Sequence, residues 1–108
     1  MLSGYRLVWM MVLFDLPVTT KAERKAATKF RKFLLDQGFD MSQYSVYMRF
    51  CSGKEQVDAY TRRVSRNLPS TGKVHIVVIT DRQYENIISF DGRKREQPWR
   101  NPEQFVLF

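Results

Sequence analysis

Cysteine and histidine are almost absent from the sequence, with one of each among 108 residues. A single thiol, Cys51, cannot form an internal disulfide, and with His75 as the only histidine there is no set of soft ligands for zinc. The sequence therefore argues against a disulfide-stapled secreted domain and against a zinc protein. A reducing compartment, the cytoplasm, is the predicted location.

The sequence also lacks a hydrophobic run long enough to cross a membrane. Its leading apolar stretch, residues 7–14, has eight residues, whereas a spanning helix needs about 20. Asp15-Leu16-Pro17 follows in place of a small-residue cleavage site, so the stretch does not resemble a secretion signal. No free basic amphipathic helix with large exposed apolar residues is visible, and no membrane partner is predicted.

Acidic residues are too few to balance the basic ones. Eighteen Lys and Arg against eleven Asp and Glu give a formal charge of +7 and a pI near 9.9. This excess favours an anionic partner, with nucleic acid as the first candidate. Because 44% of the residues are hydrophobic and 14% aromatic, a chain of this length is expected to build one domain around its own core.

The apolar run over residues 7–14 ends at the carboxylate of Asp15. Its β-branched and aromatic content predicts a strand buried on both faces. Pro17 cannot continue a strand ladder comfortably and biases Leu16 toward an extended conformation, so Asp15 is predicted on a short, stiff turn. The carboxylate is there either as a reactive group or as a simple turn cap.

Two capping-box patterns predict two helices. The spacing Thr20 to Glu23 predicts a first helix that ends at Gly38, and the spacing Ser52 to Glu55 predicts a second. Alternating or β-branched apolar residues predict the remaining strands, over residues 39–43, 45–51, 74–80 and 87–90, the last ending at a turn over residues 91–92.

This order of elements, β, α, β, β, α, β, predicts a ferredoxin-like α+β fold with two helices on one face of a four-stranded antiparallel sheet. Residues 1–86 form that domain, and residues 87–108 add a C-terminal strand and basic tail. The strands at 7–14 and 74–80 are apolar on both faces, so a second copy is expected to cover the open face about a two-fold axis. The apolar segment 105–108 is expected to pair with its own or the partner's sheet.

Two groups of basic residues are predicted to bind nucleic acid through its phosphates. One lies on the first helix and the other in the tail; the residues are Arg24, Lys25, Lys29, Arg31, Lys32, Arg93, Lys94 and Arg95. A merely solvated charged face is the alternative for the helix.

Two-fold symmetry would bring two copies of Asp15 near the axis, where one from each subunit can ligate a shared Mg²⁺. This ion keeps most of its waters and often takes one or two protein carboxylates. Asp81, after the strand at 74–80, is a weaker candidate for an outer position at that site, and a turn cap is its alternative. A lone histidine in a strand, His75, favours a hydrogen-bonded structural role over that of a ligand or base.

Three motifs in order resemble the small CRISPR-associated proteins of the Cas2 family, especially the form that accompanies type II loci. The resemblance extends over residues 6–80, and the motifs are Phe14-Asp15-Leu16-Pro17, then Phe30-Arg31-Lys32-Phe33-Leu34-Leu35 through Gly38-Phe39, then Gln43-Tyr44-Ser45-Val46-Tyr47. Many members have tyrosine just before the aspartate, and Phe14 lacks its hydroxyl. Early helix arginines of the family are carried over only loosely, to Arg24 and Arg31.

The resemblance implies a homodimer whose C-terminal strand crosses to the partner's sheet. It also implies Asp15 as the Mg²⁺ ligand of an endonuclease active on RNA or duplex DNA. Members further serve in spacer acquisition, at the centre of a complex with the integrase of the same locus.

Two other functions stay open from the residues alone. A non-catalytic dimer that binds duplex DNA as the integrase scaffold needs only the basic surface. An RNA-recognition module would stack bases on exposed aromatics such as Tyr44 or Tyr47, but its glycine-aromatic signature is missing, and core or interface packing is favoured for both tyrosines. The fold alone does not decide between these functions.

Overall fold

The structure is a computed structural model that describes residues 7–92 and 94–96. Its elements, in chain order, are β1 Val8–Asp15, α1 Lys21–Asp36, β2 Asp40–Gln43, β3 Val46–Cys51, α2 Lys54–Ser65, β4 Lys73–Thr80, α3 Asp81–Glu85, β5 Ser89–Asp91 and β6 Lys94–Glu96. No helix among the described residues is long and apolar enough to cross a bilayer.

Strands β1 to β4 form one antiparallel sheet in the order β2-β3-β1-β4. The two long helices lie on the same face of this sheet and share one core with it. This arrangement is the predicted ferredoxin-like α+β fold, in which the first strand occupies a central position. The prediction of the fold class is confirmed.

The core lies between the sheet and the helices. Met10, Val12 and Phe14 of β1 alternate toward the helices and pack with Phe30 and Leu34 of α1. Because strand side chains alternate, residues 9, 11, 13 and 15 point to the opposite face of the sheet. The strand therefore anchors the fold with one set of side chains and presents the other set, which includes Asp15, away from the helices.

The predicted helix caps differ in outcome. At α1 the Thr20 hydroxyl accepts a hydrogen bond from the Glu23 amide at 3.1 Å, and the Glu23 carboxylate accepts one from the Thr20 amide at 2.9 Å. Gly38 follows the helix at φ +85°, as predicted. The capping box predicted at Ser52 is wrong, because α2 begins one residue later, with Gly53 at the N-cap and no side-chain cap.

The sheet face that points away from the helices is apolar and only partly covered. Tyr84 of α3 stacks on Trp9 at 3.9 Å between ring centroids and buries one end of this face. Phe50, which pairs with Trp9 at that end, remains 38% exposed, and Val77, which pairs with Met11 farther along, remains 42% exposed. The prediction that β4 is buried on both faces is therefore wrong for a single chain, since β4 is an edge strand and the helices cover only one side.

The chain after β4 forms a short hairpin. The strand predicted over residues 87–90 is observed at Ser89–Asp91, and Gly92 adopts φ +66° in the turn that follows. Lys94–Glu96 then pairs back on it as β6, a strand that the sequence pattern did not predict. Arg93, Trp99 and the segment 105–108 lie outside the described residues, and the division at residue 86 stays a prediction.

Candidate functional site

Asp15 is the last residue of β1, and its side chain is exposed. The backbone around it is held on two sides. Phe14 donates its amide to the Ser45 carbonyl at 3.0 Å, and the Gly72 α-carbon lies so close that an added Cβ would stand 2.7 Å from the Asp15 carbonyl oxygen. The carboxylate is thus held rigidly, but on the last paired residue of β1 and not on the turn that the sequence predicted after the strand.

A shallow hollow of about 300 Å³ surrounds this carboxylate. Strand register explains its composition: in the β1–β4 ladder Lys73 lies opposite Asp15, and His75 lies opposite Leu13. Cross-strand partners share a face, so Lys73 and His75 face the same side as Asp15. The hollow is lined by Leu13, Phe14, Asp15, Ser45, Val46, Lys73 and His75.

Lys73 and His75 line the hollow beside Asp15, a proximity that the sequence pattern did not predict. Nothing in a single strand marks them, because their proximity to Asp15 depends on the pairing of β4 with β1. The structural role predicted for His75 is wrong in the single chain: the side chain is exposed and makes no hydrogen bond with a described residue. It is instead an open polar group beside the carboxylate.

Asp81 lies at the opposite end of the sheet from Asp15. Its carboxylate accepts a hydrogen bond from the Trp9 indole at 2.8 Å, and its amide donates to the Leu7 carbonyl. Because β4 runs antiparallel to β1, the residue after β4 returns to the beginning of β1, roughly 20 Å from its end. An outer position for Asp81 beside the Asp15 of its own chain is therefore wrong.

The described residues contain no group of three or more His, Cys, Asp or Glu side chains that could hold a metal ion. Asp15 makes no hydrogen bond or ion pair with a described side chain, so both its oxygens are open to solvent or a ligand. One free carboxylate suits a hydrated Mg²⁺, which needs few protein ligands, and does not suit a fully protein-coordinated ion. A hydrated Mg²⁺ site shared between two copies of the chain would take its second carboxylate from the Asp15 of the other copy.

The basic residues predicted on α1 separate into three places. Lys25, Lys29 and Lys32 line an open groove along the helix of about 570 Å³, with Asp36 at its end. Arg24 donates hydrogen bonds to the carbonyls of residues 18 and 19 and so braces the loop after β1.

Arg31 does not lie in this lysine groove. Its guanidinium carbon lies 4.2 Å from the Tyr44 ring centroid and 5.7 Å from that of Phe14, at the same end of the sheet as Asp15. Of the predicted tail residues, Lys94 and Arg95 belong to β6 and Arg93 is outside the described residues. The nucleic-acid roles of all eight residues stay predictions.

The fold and the hollow around Asp15 together define the class of protein. It is a small ferredoxin-like α+β domain with an exposed carboxylate at the end of a central strand. The chain belongs to the family of the CRISPR associated protein Cas2, whose family model matches residues 8–87.

Similar proteins include one from Paracidovorax avenae, 62% identical over the whole of both chains. A second, from Flavobacterium psychrophilum, is 43% identical over 99% of this chain and 93% of its own. A third, from Parvibaculum lavamentivorans, is 41% identical over 94% of this chain and all of its own. Each is named a CRISPR-associated endoribonuclease Cas2, and these names carry no locus type, so the type II form stays a prediction.

Proposed function

We propose that this chain is a homodimeric, Mg²⁺-dependent endonuclease of CRISPR adaptation, which hydrolyses phosphodiester bonds in RNA or duplex DNA. The exposed carboxylate of Asp15, fixed at the end of β1 in an open hollow that Lys73 and His75 also line, is the observation that carries the proposal. The endoribonuclease names of the similar proteins support it. The hollow is open enough for a nucleic-acid backbone to approach from solvent.

The exposed apolar sheet face supports the second copy. Met11 and Leu13 of β1 and Val77 of β4 lie on this face beside the hollow, and Val77 is 42% exposed in one chain. Burial of this face against its own copy removes apolar area from water and brings the two Asp15 hollows into one assembly. β4 is also an edge strand, which leaves a ladder for a partner's C-terminal segment.

Asp15 from each subunit would hold the Mg²⁺, and water molecules would fill the other positions. When bound, such an ion lowers the pKa of a water and neutralises charge on a phosphate. The chain's own contribution is placement: the rigid strand end orients the carboxylate, and the Lys73 ammonium opposite it offers positive charge to the same phosphate. His75 lies within reach of the same hollow as a group that can hold or give a proton.

The test is replacement of Asp15 by Asn in the full chain, with RNA and duplex DNA cleavage measured with and without a chelator. We expect cleavage to fall at least about a hundredfold, as for loss of a principal charge-stabilising group. Asp40→Asn is the matched control, since Asp40 is also exposed on this sheet but borders a different pocket, beside Trp9. Cleavage unchanged by Asp15→Asn or by the chelator would falsify the proposal.

A second candidate function is a non-catalytic scaffold that binds duplex DNA and spaces the integrase subunits during spacer acquisition. The lysine groove of α1 supports it, because the side chains of Lys25, Lys29 and Lys32 follow one helix face over about two turns. Binding through such a groove depends on released counterions and not on base sequence.

Salt titration tests the scaffold. Replacing the three groove lysines by Gln should lower the slope of log K against log salt by about 0.9 for each phosphate that the variant no longer neutralises. A gel-filtration experiment with the neighbouring integrase and a short duplex should give a ternary complex. Salt-independent binding, or no ternary complex, contradicts the scaffold but leaves the nuclease test untouched.

A further inference from the structure

Among the residues that the structure describes, Arg31 contacts two aromatic rings and no acidic side chain. Its guanidinium carbon lies 4.2 Å from the Tyr44 ring centroid, and its Nε atom is buried without a hydrogen-bond partner among the described residues. No ion pair joins it to a carboxylate of that part of the chain. The positive charge is therefore oriented by cation–π contact and left uncompensated at the end of the sheet.

Tyr44 is the exposed half of this pair. It lies in the turn between β2 and β3, and 68% of the residue is exposed, whereas Tyr47 is buried at 2%. Of the core or interface packing that the sequence favoured for both tyrosines, core packing is observed for Tyr47, whereas Tyr44 does not pack in the core of its own chain. A large aromatic ring kept in solvent, with a cation on one face, leaves its other face available for stacking.

The pair adjoins the Asp15 hollow. Ser45, the residue after Tyr44, lines the hollow and accepts the Phe14 amide at 3.0 Å, and Phe14 precedes Asp15. Phe14 also lies under the Arg31 guanidinium at 5.7 Å. These contacts place the Tyr44 ring, the Arg31 guanidinium and the Asp15 carboxylate at the same end of β1.

We infer that Tyr44 and Arg31 form a platform for an unpaired nucleobase, with Arg31 placed for the neighbouring phosphate, next to the phosphate that meets Asp15. Bases inside a duplex are already stacked, so an aromatic side chain at a turn reaches only an unpaired one. The inference rests on the proposed function and names its substrate class: a single-stranded segment or a frayed strand end. The lysine groove, by contrast, would contact the phosphates of single-stranded and duplex nucleic acid alike.

Binding measurements test the platform without any need for cleavage. The full chain carrying Asp15→Asn is titrated, in the presence of a chelator, with an unstructured single-stranded RNA that contains 2-aminopurine and with a duplex of the same length. Tyr44→Ala should weaken single-strand binding at least about fivefold and abolish the change in 2-aminopurine fluorescence, because one stacked base contributes that much or more. Duplex binding should change by less than about twofold.

Two further variants make the comparison specific. Tyr44→Phe keeps the ring and should bind the single strand like the parent, whereas Lys25→Gln should weaken strand and duplex alike. Equal effects of Tyr44→Ala on both nucleic acids, no effect on either, or a changed oligomeric mass that shows Tyr44 to be a contact between copies would each overturn the platform. Cleavage that survives Asp15→Asn would contradict the nuclease and leave the platform standing.

Discussion

Arg49 joins three elements through one guanidinium. Its Nε donates to the Gln37 carbonyl at 2.9 Å, and its two terminal nitrogens donate to the Phe50 carbonyl at 2.7 Å and to the Tyr60 hydroxyl at 2.6 Å. The guanidinium also lies 4.1 Å from the Tyr60 ring centroid. The end of α1, strand β3 and helix α2 therefore share a single positive group.

Replacing Arg49 by Lys should lower the free energy of unfolding by on the order of 2 kcal/mol. A lysine ammonium cannot reproduce the three hydrogen bonds that the planar guanidinium donates in different directions. Hydrogen bonds to charged groups contribute about 1.5–3 kcal/mol each to stability. Urea denaturation measures the change. Arg63→Lys is the control, because Arg63 contacts Tyr60 and Gln37 from the exposed side and should cost less than about 1 kcal/mol. Equal losses in both variants would contradict this role of Arg49.

Cys51 is a fully buried thiol, and burial raises its pKa above the ordinary value of 9.0, with Arg49 opposing the shift more weakly. The thiolate is the reactive form, so alkylation of the native protein at neutral pH should be slow and should become fast on unfolding. The folded state holds the proton more tightly than the unfolded state. This contribution to stability is present below the ordinary pKa and is lost as the pH rises through the raised one.

Iodoacetamide labelling followed by mass spectrometry measures the reaction rate, and urea unfolding at neutral and alkaline pH measures the stability. Cys51→Ala should remove that part of the alkaline loss. Rapid labelling of the native chain would show that the thiol is accessible, contrary to the structure.

Gly72 controls how the loop before β4 passes the end of β1. It adopts φ +92°, and an added Cβ would meet the Asp15 carbonyl oxygen at 2.7 Å and a Leu16 methyl at 2.8 Å. Gly92 has a similar positive φ, +66°, and an added Cβ there would meet no atom of the described residues within 4 Å. The two glycines therefore separate backbone strain from close contact.

Gly72→Ala should destabilise the fold by on the order of 3 kcal/mol, and Gly92→Ala by about 1 kcal/mol, because only the first adds a backbone clash to the strained φ. Thermal unfolding gives both values. If the Asp15 carboxylate is the catalytic group, Gly72→Ala should also reduce cleavage beyond its effect on folded fraction. Equal stabilities of the Gly72→Ala and Gly92→Ala variants would show that the loop at Gly72 can shift to accommodate the added methyl group.

At the level of elements, the sequence predicted what depends on local pattern and missed what depends on register. The Thr20 cap, the Gly38 stop and the strand that ends at Asp15 each follow from neighbours within a few residues. Lys73 reaches Asp15 only through the β1–β4 pairing. Helical phase placed Arg31 with the lysines, and its contact with Tyr44 arises from the β2–β3 turn packing beside α1, which no periodicity encodes.

Over the whole molecule, the apolar residues of β1 predicted a second apolar face on the sheet, and one chain leaves part of that face uncovered. The uncovered face includes Met11 and Leu13 of β1 and Val77 of β4, which is 42% exposed. Val78, the next residue, is 45% exposed on the other side of the same strand. This pair offers a matched test of the proposed homodimer.

Val77→Glu should convert the chain to a monomer, whereas Val78→Glu should leave the association unchanged. A glutamate at Val77 would place an unpaired charge in an apolar interface, which costs several kcal/mol, while position 78 stays in solvent. Light scattering after gel filtration should give twice the 12.9 kDa of one chain for the parent and for Val78→Glu. A monomeric parent, or dimers in both variants, would mean that two Asp15 hollows do not meet across this face, and the shared Mg²⁺ site would lose its second ligand.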